Sequence, residues 1–383
     1  MLHTQMLVVL GCLTTAACAV AEREVEPSIA EAELAGAAGD ANEEQEDQEL
    51  SIGQHTALTI DREASRTYRI VAYGDSIFAG YYGSLFNVAR RAAPYVAGEY
   101  FATAWDANVE VVRRTRSGAF AKEIYERTIL SDRSWMADPS TRIVYFEMCG
   151  NDYLDARKQF ARASGRCNLQ RLDDALATCT TYMGKAMEAI NTHAPTAERK
   201  AIANLYYPGF NADVVPARCT DPSGARPIVQ EVLLPYMARS NWRACALAKQ
   251  HGFACVDAFA EMMGSDWDAN GDGVIDIDGL RYDPEESEED YVTRITVTLR
   301  GTIRDANEHE TGEETRADYL QDDDIHPSYY LSTVGSGTVK RFAPDFEDAE
   351  LATGKTRKWN QLGHERMGFA LWQAGPAILD AAR

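Results

Sequence analysis

The sequence predicts an α/β protein, a three-layer α/β/α sandwich built on a parallel sheet. From about residue 66 onward, short apolar runs alternate with stretches of helical period, as strands alternate with the helices that cover them. The 383 residues are 45% hydrophobic, enough for one large core or two modest ones. No repeat at solenoid period competes with this reading.

Taken in order, residues 1–21, MLHTQMLVVLGCLTTAACAVA, form a short apolar stretch that ends in the small-residue pattern Ala19-Val20-Ala21. This reads as an export signal, although no Lys or Arg precedes the apolar part. Cys18, after Thr15-Ala16-Ala17, and Cys12, after Leu10-Gly11, each fit the lipid-bearing cysteine of a lipoprotein, which would attach the chain to a membrane. Cleavage after Ala21 fits the same residues, and the alternatives stay open.

Residues 22–65 are expected to be an acidic, disordered tether. Within residues 22–50, eleven acids face one base, Arg23, so this stretch supplies −10 of the net charge of −21 and buries too little apolar surface to offset its ordering entropy. No basic patch for nucleic acid remains elsewhere.

The rest, 66–383, is expected to be one domain. Predicted strands are Tyr68–Tyr73, Asn108–Arg113, Arg142–Met148, Lys200–Tyr206 and Phe253–Asp257. Leu172, Leu176, Cys179, Met183, Met187 and Ile190 recur at three- and four-residue steps and predict a helix over Arg171–Asn191. A last helix is expected near Gly363–Ala382, and Tyr291–Ile303 fits a helix better than a strand. An insertion spans 261–322. Outside the signal, Cys149, Cys167, Cys179, Cys219, Cys245 and Cys255 form an even set that favours disulfides, with Cys167–Cys179 and Cys245–Cys255 as the short-loop pairs.

Four loops carry chemistry-bearing residues. The first predicted strand is followed by Gly74-Asp75-Ser76, the second by Thr115-Arg116-Ser117-Gly118, and the third by Gly150-Asn151-Asp152. Asp322-Asp323-Asp324-Ile325-His326-Pro327 stands late in the chain. In open parallel sheets, ligands gather at the carboxyl ends of strands. These residues, in this order, resemble the SGNH (GDSL) hydrolase family, over most of the chain from about Tyr68 to Met367. The resemblance implies a flavodoxin-like parallel sheet and an esterase-like enzyme, which the leader at residues 1–21 would make an exported one. It also implies Ser76 as nucleophile, His326 as its base and Asp323 as the group that orients the imidazole. The Ser76 and Gly118 backbone N–H groups and the Asn151 amide would form the oxyanion hole.

Chemistry asks for the same residue types. A serine hydroxyl is a poor nucleophile until a base takes its proton, and histidine titrates in the range that suits the task near neutral pH. The aspartate sets the tautomer. Donors aimed at the oxygen that gains charge stabilise the tetrahedral state. Glycine at 118 lets backbone approach closely, and asparagine donates without a charge. The G-x-S-x-G elbow of ordinary α/β-hydrolases is absent.

The family commonly places a glycine and a helix soon after His-Pro, whereas here Ser328–Asn360 intervene before Gly363-His364. His364 is thus a rival base, rejected because Gln361 stands where an acid is needed. Cys149 is read as a disulfide partner or a small buried apolar group. Tyr206, Tyr207, Pro208 and Phe210 follow the fourth predicted strand, where they could wall a cleft, but aromatics at such a junction are more often core.

A second motif, DWDANGDGVIDIDG at 266–279, places Asp268, Asn270, Asp272, Val274 (through its carbonyl) and Asp276 at the spacing of an EF-hand-like calcium loop, with Gly273 at the bend. Position twelve holds Gly279 in place of a bidentate Glu. Such an ion would be structural. The expectation is therefore a serine hydrolase acting on esters, needing no cofactor for catalysis. A calcium-stabilised surface binding lipoprotein without turnover and an acyltransferase are the alternatives.

Overall fold

The computed structural model describes residues 51–52, 54–80, 88–207, 216–263, 277–299 and 361–375. Its strands are β1 (Ser51–Ile52), β2 (His55–Ile60), β3 (Thr67–Gly74), β4 (Val88–Ala89), β5 (Asn108–Thr115), β6 (Thr141–Phe146), β7 (Arg199–Ala203) and β8 (Ala254–Val256). Helices are α1 (Ser76–Ala79), α2 (Ala93–Trp105), α3 (Ala121–Glu123, widening into a π-helical turn over Ile124–Ile129), α4 (Arg133–Met136), α5 (Gly150–Arg162) and α6 (Gln170–His193). They continue with α7 (Val229–His251), α8 (Ala258–Met263), α9 (Glu288–Leu299) and α10 (Gln361–Gln373).

Six strands form one sheet in the order β2-β5-β3-β6-β7-β8. All neighbouring pairs are parallel except β2–β5. Counting only the parallel strands, the order is 2-1-3-4-5, the flavodoxin-like arrangement with its switch point between β3 and β6. The first crossover sends α2 to one face, where it packs against α10; α6 and α7 pack against each other after later crossovers. From Ile70 to Gly74, β3 is buried on both faces, and β6 is buried nearly throughout, so both read as unbroken apolar runs. Tyr145 on β6 donates its phenol to the Leu371 carbonyl of α10 at 2.7 Å, which fixes the last helix to the sheet.

The α/β architecture on a mostly parallel sheet agrees with the expectation, and three corrections accompany it. Residues 51–52 and 54–60 do not belong to a tether: β1 pairs with β4, and β2 runs antiparallel along β5 from His55↔Arg114 to Ile60↔Val109. It is an edge strand whose Thr56, Leu58 and Ile60 turn partly inward while His55, Ala57 and Thr59 face solvent, and six half-polar residues carry little apolar signal. Residues 1–50 lie outside the described part. Cys167 bonds Cys219, not Cys179, because its backbone N–H donates to Thr220 O at 2.8 Å and brings it beside Cys219, whereas Cys179 lies buried in the middle of α6. Cys245–Cys255 forms as expected and joins α7 to β8. The fourth strand stops at Ala203, short of Tyr206: Asn241 of α7 accepts from Leu205 N–H at 2.8 Å and donates to Leu205 O at 2.7 Å, replacing a strand partner. Tyr207 is buried and Tyr206 half-buried; Pro208 and Phe210 lie outside the described residues.

Candidate active site

The carboxyl ends of β5, β3 and β6 lie side by side, and backbone bonds hold the chain in place beyond them. Arg116 N–H donates to Gly74 O at 2.9 Å, and Glu147 N–H donates to Tyr73 O at 3.1 Å. Past β3, Asp75 caps α1: its Oδ1 accepts from Ile77 N–H at 3.0 Å. Ser76 is therefore the first helical residue, 9% exposed. Past β6, α5 begins at Gly150 and carries Asn151 and Asp152 in its first turn.

That turn knits the three loops together. Asn151 Nδ2 donates to Asp75 Oδ2 and to Ala119 O, each at 3.1 Å, so one amide touches the residues adjoining both Ser76 and Gly118. Both neighbours are acceptors, which orients the amide with nitrogen towards them and commits both its protons within the protein. Asp152 Oδ2 accepts from Ala121 N–H at 2.8 Å and ties α5 to the start of α3. Gly118 has φ +75°, a backbone conformation that glycine adopts freely. The next residue up, Ser117, donates its N–H to Gln54 Oε1 at 2.7 Å, so the chain entering β2 braces this loop.

Below Ser76 lies a second buried acid. Glu147 Oε1 accepts from Asp75 N–H at 2.7 Å, and the two carboxyl groups share a hydrogen bond. Gly74 makes room for it, since a Cβ there would sit 2.4 Å from Glu147 Oε1. Burial pushes both carboxyls up; hydrogen bonds from Glu147, from Ile77 N–H and from Ser76 oppose the shift at Asp75, while the charge on Asp75 pushes Glu147 further. The upward shift is therefore the larger at Glu147, whose neighbour's charge adds to its burial. Asp152 is pushed up to about 7, mainly by burial. Burial also raises the Cys149 thiol well above its ordinary range, which is the opposite of what a nucleophilic cysteine needs.

On the far side of α1, the fully buried Arg113 of β5 donates from Nη1 to Ala79 O at 2.7 Å and from Nε to Thr56 Oγ1 at 3.2 Å. Its guanidinium, lowered to about 9 by burial, fastens α1 to both β5 and β2.

The fold thus brings Ser76, Gly118 and Asn151 into one cluster. Asp323 and His326 lie outside the described residues, as do the calcium-loop residues Asp268, Asn270, Asp272, Val274 and Asp276. His364 is fully buried within α10, in keeping with packing rather than catalysis. Sequence reasoning missed Glu147, Arg113 and Gln54. The signal for the first was present: a lone charge inside the apolar run Ile143-Val144-Tyr145-Phe146-Glu147-Met148. Among the described residues, Cys149, Asp152 and Cys179 form a group of metal-type donors. No described helix is long and apolar enough to cross a membrane.

No family model and no curated protein matches the chain. Among solved structures, the chain is similar to a lipase from a goat rumen metagenome, with 16% identity, TM-score 0.41, and coverage of 61% of this chain and 97% of that one. It is also similar to an extracellular lipase from Streptomyces rimosus, with 19% identity, TM-score 0.37, and coverage of 51% and 82%. A lipase/acylhydrolase from Enterococcus faecalis matches with 15% identity, TM-score 0.32, and coverage of 61% and 96%.

Proposed function

We propose that the protein is a serine hydrolase that cleaves carboxylic esters through an acyl-Ser76 intermediate. One observation supports this most: Ser76 stands at the switch point of the sheet, with Asn151 held at hydrogen-bonding distance from the residue before it and from the residue after Gly118. In this reading, Ser76 Oγ attacks the acyl carbon as its proton passes to His326, which Asp323 orients. The Ser76 and Gly118 N–H groups receive the carbonyl oxygen as it gains charge. Asn151 joins them by releasing Asp75 or Ala119. His326 then protonates the departing alcohol, and water, activated by the same imidazole, frees the acid. The leader, the disulfides and the acidic composition fit an exported protein, lipid-anchored through Cys18 or Cys12 or cleaved after Ala21.

The committed Asn151 amide also suits the competing reading, a binding protein without turnover, and one experiment separates the two. A panel of p-nitrophenyl esters of increasing chain length is hydrolysed by the protein, with loss of on the order of 10³-fold or more in Ser76→Ala. Equal rates in both proteins would defeat the assignment of Ser76. Absence of turnover together with failure of a serine-reactive phosphonate to label Ser76 would defeat the enzyme. For the loop at 268–276, the reading is a structural calcium ion, so EGTA lowers the melting temperature and added calcium restores it; a melting temperature indifferent to both removes the ion.

A further inference from the structure

Of the six cysteines beyond the leader, four are paired, and the remaining two, Cys149 and Cys179, are buried against each other. Their sulfurs and an Asp152 carboxylate oxygen lie within 4.8 Å of one another, and the two thiols are close enough to hydrogen bond. Cys149 is also conformationally odd. It has φ 90° at the junction between β6 and α5, a region where a residue with a Cβ is strained, and its side chain makes no cap hydrogen bond there. Glycine would occupy this position without strain. A cysteine at that site needs a return for its Cβ, and its sulfur faces a second cysteine.

We propose that Cys149 and Cys179 form a third disulfide, tying the residue that leads into Gly150-Asn151 to the middle of α6. The two thiols lose two protons, the S–S bond forms, and two electrons pass to the disulfide of an oxidised dithiol, which leaves as two thiols. The chain already carries two disulfides, so the folded protein belongs to a setting that supplies such an oxidant. Both thiols are raised by burial, which makes them poor at exchange once the core has closed. The bond therefore forms during folding and is a permanent brace rather than a switch. Held by it, the turn that presents Asn151 cannot drift from α6. A metal ion between the same sulfurs is the rival occupant. Structural zinc sites use four protein ligands, and this group offers three, one of them already accepting from Ala121 N–H.

The inference does not depend on ester hydrolysis, and its test reads no activity. Full-length protein made in an oxidising compartment is denatured in acid without reductant, alkylated with N-ethylmaleimide, digested and mapped by mass spectrometry, with zinc measured on the intact protein. The expected result is one species joining the Cys149 and Cys179 peptides, separated only by reductant, with no stoichiometric zinc. Recovery of both cysteines as maleimide adducts, with or without an equivalent of zinc, overturns it, as does linkage of either cysteine to any other.

Discussion

Two clusters of acids in this molecule are held in opposite ways. Along the seam between α7 and α9, Glu288 is gripped by Arg243 through two bonds of 3.0 Å and by Arg239 at 2.9 Å, while Glu286 is bound by Arg294 at 2.6 Å. All are partly exposed, and each acid has its own cation. At the ends of β3 and β6, Asp75, Glu147 and Asp152 are almost wholly buried and are held instead by backbone N–H groups, one amide and a shared proton. A carboxylate in low dielectric is expensive unless it is compensated, and acids packed together raise one another's affinity for protons. The seam therefore needs no explanation beyond docking two helices. The buried cluster carries a desolvation cost that the seam avoids, and it adjoins Ser76, the candidate nucleophile.

This contrast can be broken at several points. Glu147→Leu removes the acceptor for Asp75 N–H and the carboxyl packed against the Asp75 side chain, leaving a buried backbone donor without its acceptor and a buried acid without that neighbour. We expect a stability loss of roughly 3 kcal/mol by urea unfolding. On the proposed mechanism, the same variant is expected to lower kcat on the order of 10²-fold on the best p-nitrophenyl ester, through loss of the Asp75 support beside Ser76. Glu147→Gln keeps an acceptor and offers an N–H donor, so it should recover most of both. A Leu variant with unchanged kcat would reduce the buried acids to packing.

Asp152 sharpens the comparison through pH. Its folded pKa, about 7, lies above the ordinary carboxylate value of about 3.9, so the folded state binds more protons between those limits. The stability this group contributes is complete below pH ~4 and is lost as pH rises towards 7. Asp152→Asn retains an acceptor for Ala121 N–H without titrating. The urea midpoint of the wild type should fall more between pH 4.5 and 7.5 than that of the variant; parallel falls would show that Asp152 is not buried as a neutral acid.

The smallest effect belongs to the seam. Glu288→Gln should cost no more than about 1 kcal/mol, and salt should shrink the difference, because its arginines keep access to water. A loss above about 2 kcal/mol would mean that charge, not the apolar contact of α9 with α7, holds that face.

Ser76, Gly118 and Asn151 could be found because their motifs stand in the order that the family resemblance implies, in the loops after β3, β5 and β6, and chain direction delivers such loops to one edge of a parallel sheet. Glu147 and Arg113 could not. Each is a charge inside a strand, and whether it is paired, neutralised or solvated depends on neighbours 72 and 34 positions away, Asp75 and Ala79. Cys167 went to the wrong partner for the same reason: short loops are favoured by closure entropy, but a bridge between Arg166 and Thr220 had already placed Cys219 beside it.

Local chemistry along the chain, its apolar runs, helical periods and turn residues, determined the α/β class, most strand positions and the three motif residues of the site. Tertiary structure decided the edge strand β2, the disulfide partners, and the burial of Asp75 and Glu147 against each other beneath Ser76. Those outcomes depend on desolvation and on contacts between distant segments, and both arise only once the sheet has assembled.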